Sequence, residues 1–204
     1  DIASCLVGSE MCIRDSIYGY GLMNEPHDLA PETKWFDMAQ ASINAIREVD
    51  TNTLIMVGGN DWSSAERWIE QSDTLKFLKD PANNLAFEAH VYFDKDASGT
   101  YKYSYEEEEC YPEKGIDRVK PFVEWIKQNK FHGFIGEYGI PDNDPRWNET
   151  LDLFLGYLQE NGINGTYWAA GPWWDTYFMA ITPKDGKDRP QMPIIEKYTS
   201  TLKK

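Results

Sequence analysis

Two glutamates in this chain occupy the same kind of place. Glu25 closes the segment Tyr18-Gly-Tyr-Gly-Leu-Met-Asn-Glu-Pro-His27, preceded by Asn24 and followed by Pro26, which stops an extended run and fixes the backbone. Glu137 ends the apolar run in Gly133-Phe-Ile-Gly-Glu-Tyr-Gly-Ile140. An ionised carboxylate at the end of a buried run needs partners, because desolvating it alone is costly. Two such carboxyl groups on different strands can face each other across a barrel mouth. That pairing suits cleavage of a glycosidic bond, with one carboxyl donating a proton while the other attacks or activates water. Taken singly, either glutamate could be a capping or surface carboxylate. Further polar groups end other apolar runs: Asn60-Asp61-Trp62, His90 with Tyr92, and Trp168.

The elements that must position these groups follow from the pattern of apolar residues. Short apolar runs bounded by Gly, Asn or Pro predict strands at 17–23, 54–58, 85–91, 133–138 and 165–170. Amphipathic stretches separate them. Trp35, Ala39, Ile43, Ile46 and Val49 share one helical face, and Val119, Phe122, Val123 and Ile126 another, with Pro121 expected in the first turn. Leu151, Phe154, Tyr157 and Leu158 form a third face, ended by Asn161-Gly162. A fourth helix starts near Pro193 and carries Ile194, Ile195, Tyr198 and Leu202. Alternating strands and helices predict a parallel α/β sheet. The polar groups then gather at the C-terminal ends of the strands, the edge that carries the site in α/β barrels. A doubly wound sheet would carry a glycine-rich phosphate loop after its first strand, and Gly19-Tyr-Gly21 lacks the third glycine. The long interval before the fourth strand predicts a loop holding Asp94–Tyr111. In it Tyr101, Tyr103 and Tyr105 alternate and could line a groove, Glu106–Glu109 reads as a solvated run, and Asp142–Pro145 as a turn.

With 204 residues the chain is about one domain long. Its net charge of −14 repels phosphate backbones and anionic lipid, so neither nucleic acid nor a membrane surface is expected as partner. No apolar run approaches the ~20 residues of a membrane span. Cys5, Cys12 and Cys110 have no zinc-type spacing and are too few for a disulfide scaffold. Eight Trp, twelve Tyr and nine Phe supply aromatic faces of the kind that stack on sugar rings. Residues 1–16 show neither helical nor strand period and lack the layout of a signal peptide. Their core, SCLVGSEMCIRD, resembles translated sequencing-adapter sequence, and the stretch is set aside as foreign or irregular.

From about residue 17 onward, four motifs in order resemble glycoside hydrolase family 5, the cellulases and mannanases of the (β/α)8 TIM-barrel superfamily. Asn24-Glu25-Pro26 matches the family's strand-four motif, and Glu137 in Ile-Gly-Glu-Tyr-Gly its strand-seven glutamate. His90 and Tyr92 in Glu-Ala-His-Val-Tyr-Phe match the strand-six His-x-Tyr pair, and Trp168 in Gly-Thr-Tyr-Trp the strand-eight tryptophan. The resemblance implies an incomplete TIM barrel in which residues 17–204 carry strands four to eight and strands one to three are absent. It implies a retaining endo-β-glycosidase, foremost an endo-β-1,4-glucanase. Glu25 is then the acid/base and Glu137 the nucleophile. Asn24 holds the sugar 2-hydroxyl, Tyr92 orients Glu137, His90 holds the hydrogen-bond network, and Trp168 lies beneath the sugar. Trp62 and Trp173 are candidate stacking platforms, although one of Trp173-Trp174 is expected to pack inside. No metal or cofactor is expected. The expected partner is a β-linked polysaccharide, the expected state a monomer when complete, and the expected location extracellular. Mannan or another β-glucan as substrate, a glycan-binding module without catalysis, and a truncated chain inactive by itself remain the alternatives.

Overall fold

The computed structural model describes residues 17–30 and 34–199. The stretch 1–16 and Leu202, about which the sequence raises expectations, lie outside the described residues. Five strands run in chain order: β1 (Gly19–Gly21), β2 (Leu54–Gly58), β3 (Leu85–Tyr92), β4 (His132–Gly139) and β5 (Asn164–Tyr167). Every neighbouring pair is parallel and the spatial order equals the chain order. The strand order nowhere reverses, so the crevice of a doubly wound sheet does not arise. The sheet is instead curled as half of a barrel.

The helices cover one face. They are α1 (Trp35–Arg47), α2 (Trp68–Ser72), α3 (Lys114–Asn129), α4 (Arg146–Glu160) and α5 (Met192–Tyr198). Ile55, Val57, Phe87, Ala89, Val91 and Ile135 point toward them and are buried. Phe87 meets Trp68 and Trp125 edge-on at 6.4 and 4.9 Å, while Tyr138 meets Phe154 at 5.4 Å. The alternate residues of β3, namely Glu88, His90 and Tyr92, face away from the helices, as the period of two in a strand requires. Among the described residues no helix is long and apolar enough to cross a membrane.

Two helical expectations shift. Val49 lies beyond the end of α1 and is exposed, so that apolar face stops at Ile46. Helix α3 starts seven residues before Pro121 instead of at it. Proline removes one helical hydrogen bond, and side chains of the early turns fasten this part of the helix from outside it. Lys114 Nζ donates to the carbonyls of Glu108 and Glu109 at 2.7 and 3.2 Å. Arg118 donates to the carbonyls of Tyr92 and Lys95, which fastens α3 to the end of β3.

The long loop after β3 is tied by two buried carboxylates. Asp94 accepts from the backbone N–H groups of Gly99, Thr100 and Tyr101 at 3.1, 3.0 and 3.2 Å, and from Ser98 Oγ at 3.1 Å. Glu108 accepts from the N–H groups of Lys95 and Tyr103 at 2.8 and 2.9 Å. Glu108 is therefore an internal brace, unlike its exposed neighbours in the acidic run. Tyr101 and Tyr105 are buried against Trp147 and do not line a groove; only Tyr103 of the three is exposed. Tyr101 earns its burial by accepting from Phe93 N and donating to Gly139 O at 2.6 Å. Replacing Asp94 by Ala strips three N–H donors of their acceptor. We expect a stability loss of about 2 kcal/mol by urea denaturation, with faster amide exchange at Gly99, Thr100 and Tyr101.

Candidate active site

The strand ends converge as their polar residues predict. Glu25 follows β1 with φ of 47°, a left-handed backbone uncommon outside glycine. Asp61, Trp62 and Ser63, just after β2, are also left-handed, at φ 55°, 62° and 53°. The two strained segments lean on each other. Trp62 N–H donates to Pro26 O at 3.3 Å, and the Trp62 ring stacks on His27 with centroids 3.3 Å apart. Such conformations cost of order 1–3 kcal/mol each and concentrate where a side chain must be held in one place. The chain then returns to pair with β3, through Ala65 N–H on His90 O at 3.2 Å.

How Glu137 reaches the site was not evident from alternation alone. Ile135 faces the helices, so a regular strand would send Glu137 to the same side. The register shifts instead: Ala89 pairs with Ile135, but His90 pairs with Glu137. Gly136 is the extra residue, and this β-bulge re-aims Glu137 beside His90. A side chain at Gly136 would displace the Glu88 carboxyl group, because a Cβ there would lie 2.1 Å from Glu88 Oε1.

Five ionisable side chains meet at the open rim. His90 Nδ1 lies 2.7 Å from Glu25 Oε1 and 3.7 Å from Glu137 Oε2, and His90 Nε2 lies 3.3 Å from Glu88 Oε1. Tyr92 Oη donates to Glu137 Oε2 at 2.8 Å. One potential ligand atom from each of Glu25, His90 and Glu137 falls within 4.8 Å of the other two. Burial works to lower the pKa of His90, but hydrogen bonds to Glu25 and Glu88 and the charge of Glu137 outweigh it and raise it to about 9. The imidazole is thus held as a cation whose two N–H groups both donate. With a carboxylate on each ring nitrogen, the trio is tied together as an ion cluster. Burial pushes the Glu137 carboxyl up, opposed by the His90 charge and the Tyr92 hydroxyl, with Glu25 and Glu88 adding to the rise. Burial, then the charge of Glu137, drives Tyr92 far up, so its hydroxyl keeps its proton.

A cavity of about 360 Å³ opens beside this cluster, lined by Glu25, Trp62, Arg67, His90, Tyr92 and Arg118 among others. Trp62 is half exposed on its wall. Asn24 is exposed next to Glu25. Trp168 follows β5 with its N–H on Tyr138 O at 2.8 Å, and Trp174 packs edge-on against it at 4.9 Å. Trp168 and Trp173 do not line this cavity; Trp173 is 92% exposed, while Trp174 is the inward member of the pair. Glu88 is the site residue that sequence reasoning passed over. Its signal was available, two positions before His90 on the same strand face.

The family model described as cellulase, glycosyl hydrolase family 5, matches residues 11–173, beginning inside the stretch 1–16. The probable endo-beta-1,4-glucanase B of Aspergillus kawachii is 37% identical over 181 residues, covering 86% of this chain and 52% of that protein. The endo-beta-1,4-glucanase B of Emericella nidulans is 37% identical over 168 residues, covering 80% and 49%. The crystal structure of Pseudomonas stutzeri endoglucanase Cel5A in complex with cellobiose superposes with a TM-score of 0.81 at 45% identity, covering 89% of this chain and 54% of that one. The chain spans about half the length of the curated relatives it matches.

The folded pKa of His90, about 9, exceeds its ordinary 6.5. The stability it contributes is whole below pH 6.5 and is lost as pH rises through about 9. Urea midpoints should therefore fall from pH 6.5 to 9 in the wild type, and fall less over that interval in His90→Gln.

Proposed function

Because the chain belongs to the cellulase family, glycosyl hydrolase family 5, we propose that its site hydrolyses β-1,4-linked glucan internally, with retention of configuration. The observation that carries this is the close approach of Glu25 and Glu137, whose oxygens lie within 4.8 Å. Retaining glycosidases hold their two carboxyl groups about 5–5.5 Å apart, while inverting enzymes leave about 6.5–9.5 Å for a water. The substrate follows the curated relatives, named as endo-β-1,4-glucanases, and the cellobiose held by the Pseudomonas enzyme. On this reading β1 to β5 are strands four to eight of an eight-stranded barrel, residues 17–204 belong to its C-terminal part, and the protein works outside the cell.

In the first step a Glu137 oxygen attacks the anomeric carbon. The bond to the leaving sugar breaks, and Glu25 passes its proton to the departing oxygen. In the second, Glu25 takes a proton from water, whose oxygen displaces Glu137. Glu137 must be ionised to attack. Tyr92 serves that end by donating to Oε2, which fixes the carboxylate and leaves Oε1 to react. The 360 Å³ cavity includes Glu25 in its walls but not Glu137, so it takes the sugar on the leaving side, with Trp62 as its stacking face. Asn24 is the group for the 2-hydroxyl, Trp168 the floor beneath the reacting sugar, and Trp173 an outer platform.

The test uses the full-length protein. Glu137→Gln should abolish turnover of an aryl β-cellobioside, and wild-type-like rates would remove Glu137 from its role. Glu25→Gln should slow hydrolysis of unactivated cello-oligosaccharides by about 10²–10⁴-fold. Proton NMR of early product should show the β-anomer; the α-anomer first would mean inversion. In a panel of cellulose, mannan and xyloglucan, preference for mannan would correct the substrate, and tight binding without reducing-sugar release would make the site a binding module. Activity is lost as pH falls through the pKa of Glu137. Tyr92→Phe removes a donor to its charged form, so the acidic limb of kcat/KM should move to higher pH.

A further inference from the structure

We propose that Glu88 is a positioning residue for the acid/base carboxyl: by holding the far nitrogen of His90, it fixes the ring that donates to Glu25 Oε1. The inference rests on the roles proposed above and deepens them. Glu88 lines neither substrate nor reacting atoms, yet the strand geometry points it at the cluster. Glu88 and His90 lie two apart on one face of β3, so their side chains stand side by side. The His90 side chain is only 3% exposed. Its Nε2–H lies 3.3 Å from Glu88 Oε1. Without Glu88 the ring would keep a buried donor whose Nε2 has no other acceptor among the described residues, and its pull toward Glu25 would lose its counterweight.

The sheet is built around this carboxylate. The bulge that turns Glu137 inward places its extra residue against Glu88, and that residue is a glycine whose missing Cβ would sit 2.1 Å from Oε1. The same irregularity therefore delivers Glu137 to the cluster and leaves the slot that Glu88 fills. Among the described residues the charged and titratable groups facing His90 are Glu25 from the end of β1, Glu88 from β3 and Glu137 from β4, the last carrying the Tyr92 hydroxyl. Glu88 contributes to the rise of the His90 pKa to about 9.

The chain has three histidines, His27, His90 and His132, so ¹⁵N-histidine NMR can follow each ring in the full-length protein without substrate. Glu88→Gln keeps the shape and an acceptor oxygen but removes the charge. Its His90 midpoint should fall by about one unit, and the alkaline limb of kcat/KM should fall with it. The loss in kcat should then be about fivefold greater at pH 9 than at pH 6, with KM little changed. Gly136→Ala keeps the carboxylate but drives it from its slot, and should lower the His90 midpoint in the same direction. It supplies the reading if Glu88→Gln fails to fold. An unmoved His90 midpoint and alkaline limb, or a lowered Tm alone, would overturn the proposal. Absence of glycan hydrolysis by the wild type would instead sink the functional reading, while the substrate-free titration still decides whether Glu88 holds the ring.

Discussion

Three carboxylates share one imidazole, and most of what is unusual in this structure follows from keeping them together. Two like charges no more than 4.8 Å apart repel by roughly 3 kcal/mol or more at the effective dielectric typical of protein sites. A strand end does not gather such groups unless something of opposite sign stands between them. His90 is that cation, buried on the inner face of β3 with carboxylates on both ring nitrogens. Its charge makes the assembly tolerable. The assembly in turn keeps the ring charged, so the arrangement supports itself only while all its members are in place.

The scaffold pays for this in backbone geometry. Glu25 sits in a left-handed conformation, three consecutive residues after β2 do the same, and β4 carries an extra residue. Glu25 and the residues after β2 lie at the C-terminal edge of the sheet, and the extra residue lies within β4. The opposite faces of the same strands are regular and packed with Ile55, Val57, Phe87 and Ile135, all buried against the helices. The well-packed side offsets the strained rim, and the hydrogen bond from Trp62 to Pro26 lets two irregular segments brace each other.

Much of this was legible in the sequence, because the informative residues punctuate strands. Asn24-Glu25-Pro26, His90 with Tyr92, and Glu137 each end an apolar run, and the five runs correspond to five parallel strands. What escaped had physical reasons. Alternation counts residues, and a bulge adds one, so the face of Glu137 follows from register with β3 and not from β4 itself. The early turns of α3 contain Gly115, Asp117 and Pro121, poor helix formers, and are held by Lys114 and Arg118 reaching distant carbonyls. Tyr101 and Tyr105 resemble groove aromatics until Trp147, some forty residues on, is seen to cover them. Glu108 looks solvated within an acidic run, since nothing local reveals the two N–H groups it accepts. The roles proposed for Glu25 and Glu137 come from the motifs; the geometry adds that both carboxyl groups lie against His90.

The slot shared by positions 88 and 136 also makes the two positions epistatic. A methyl group at 136 would displace the carboxyl end of the glutamate, so its cost depends on which residue stands at 88. A substitution at one of them therefore changes which residues the other can accept.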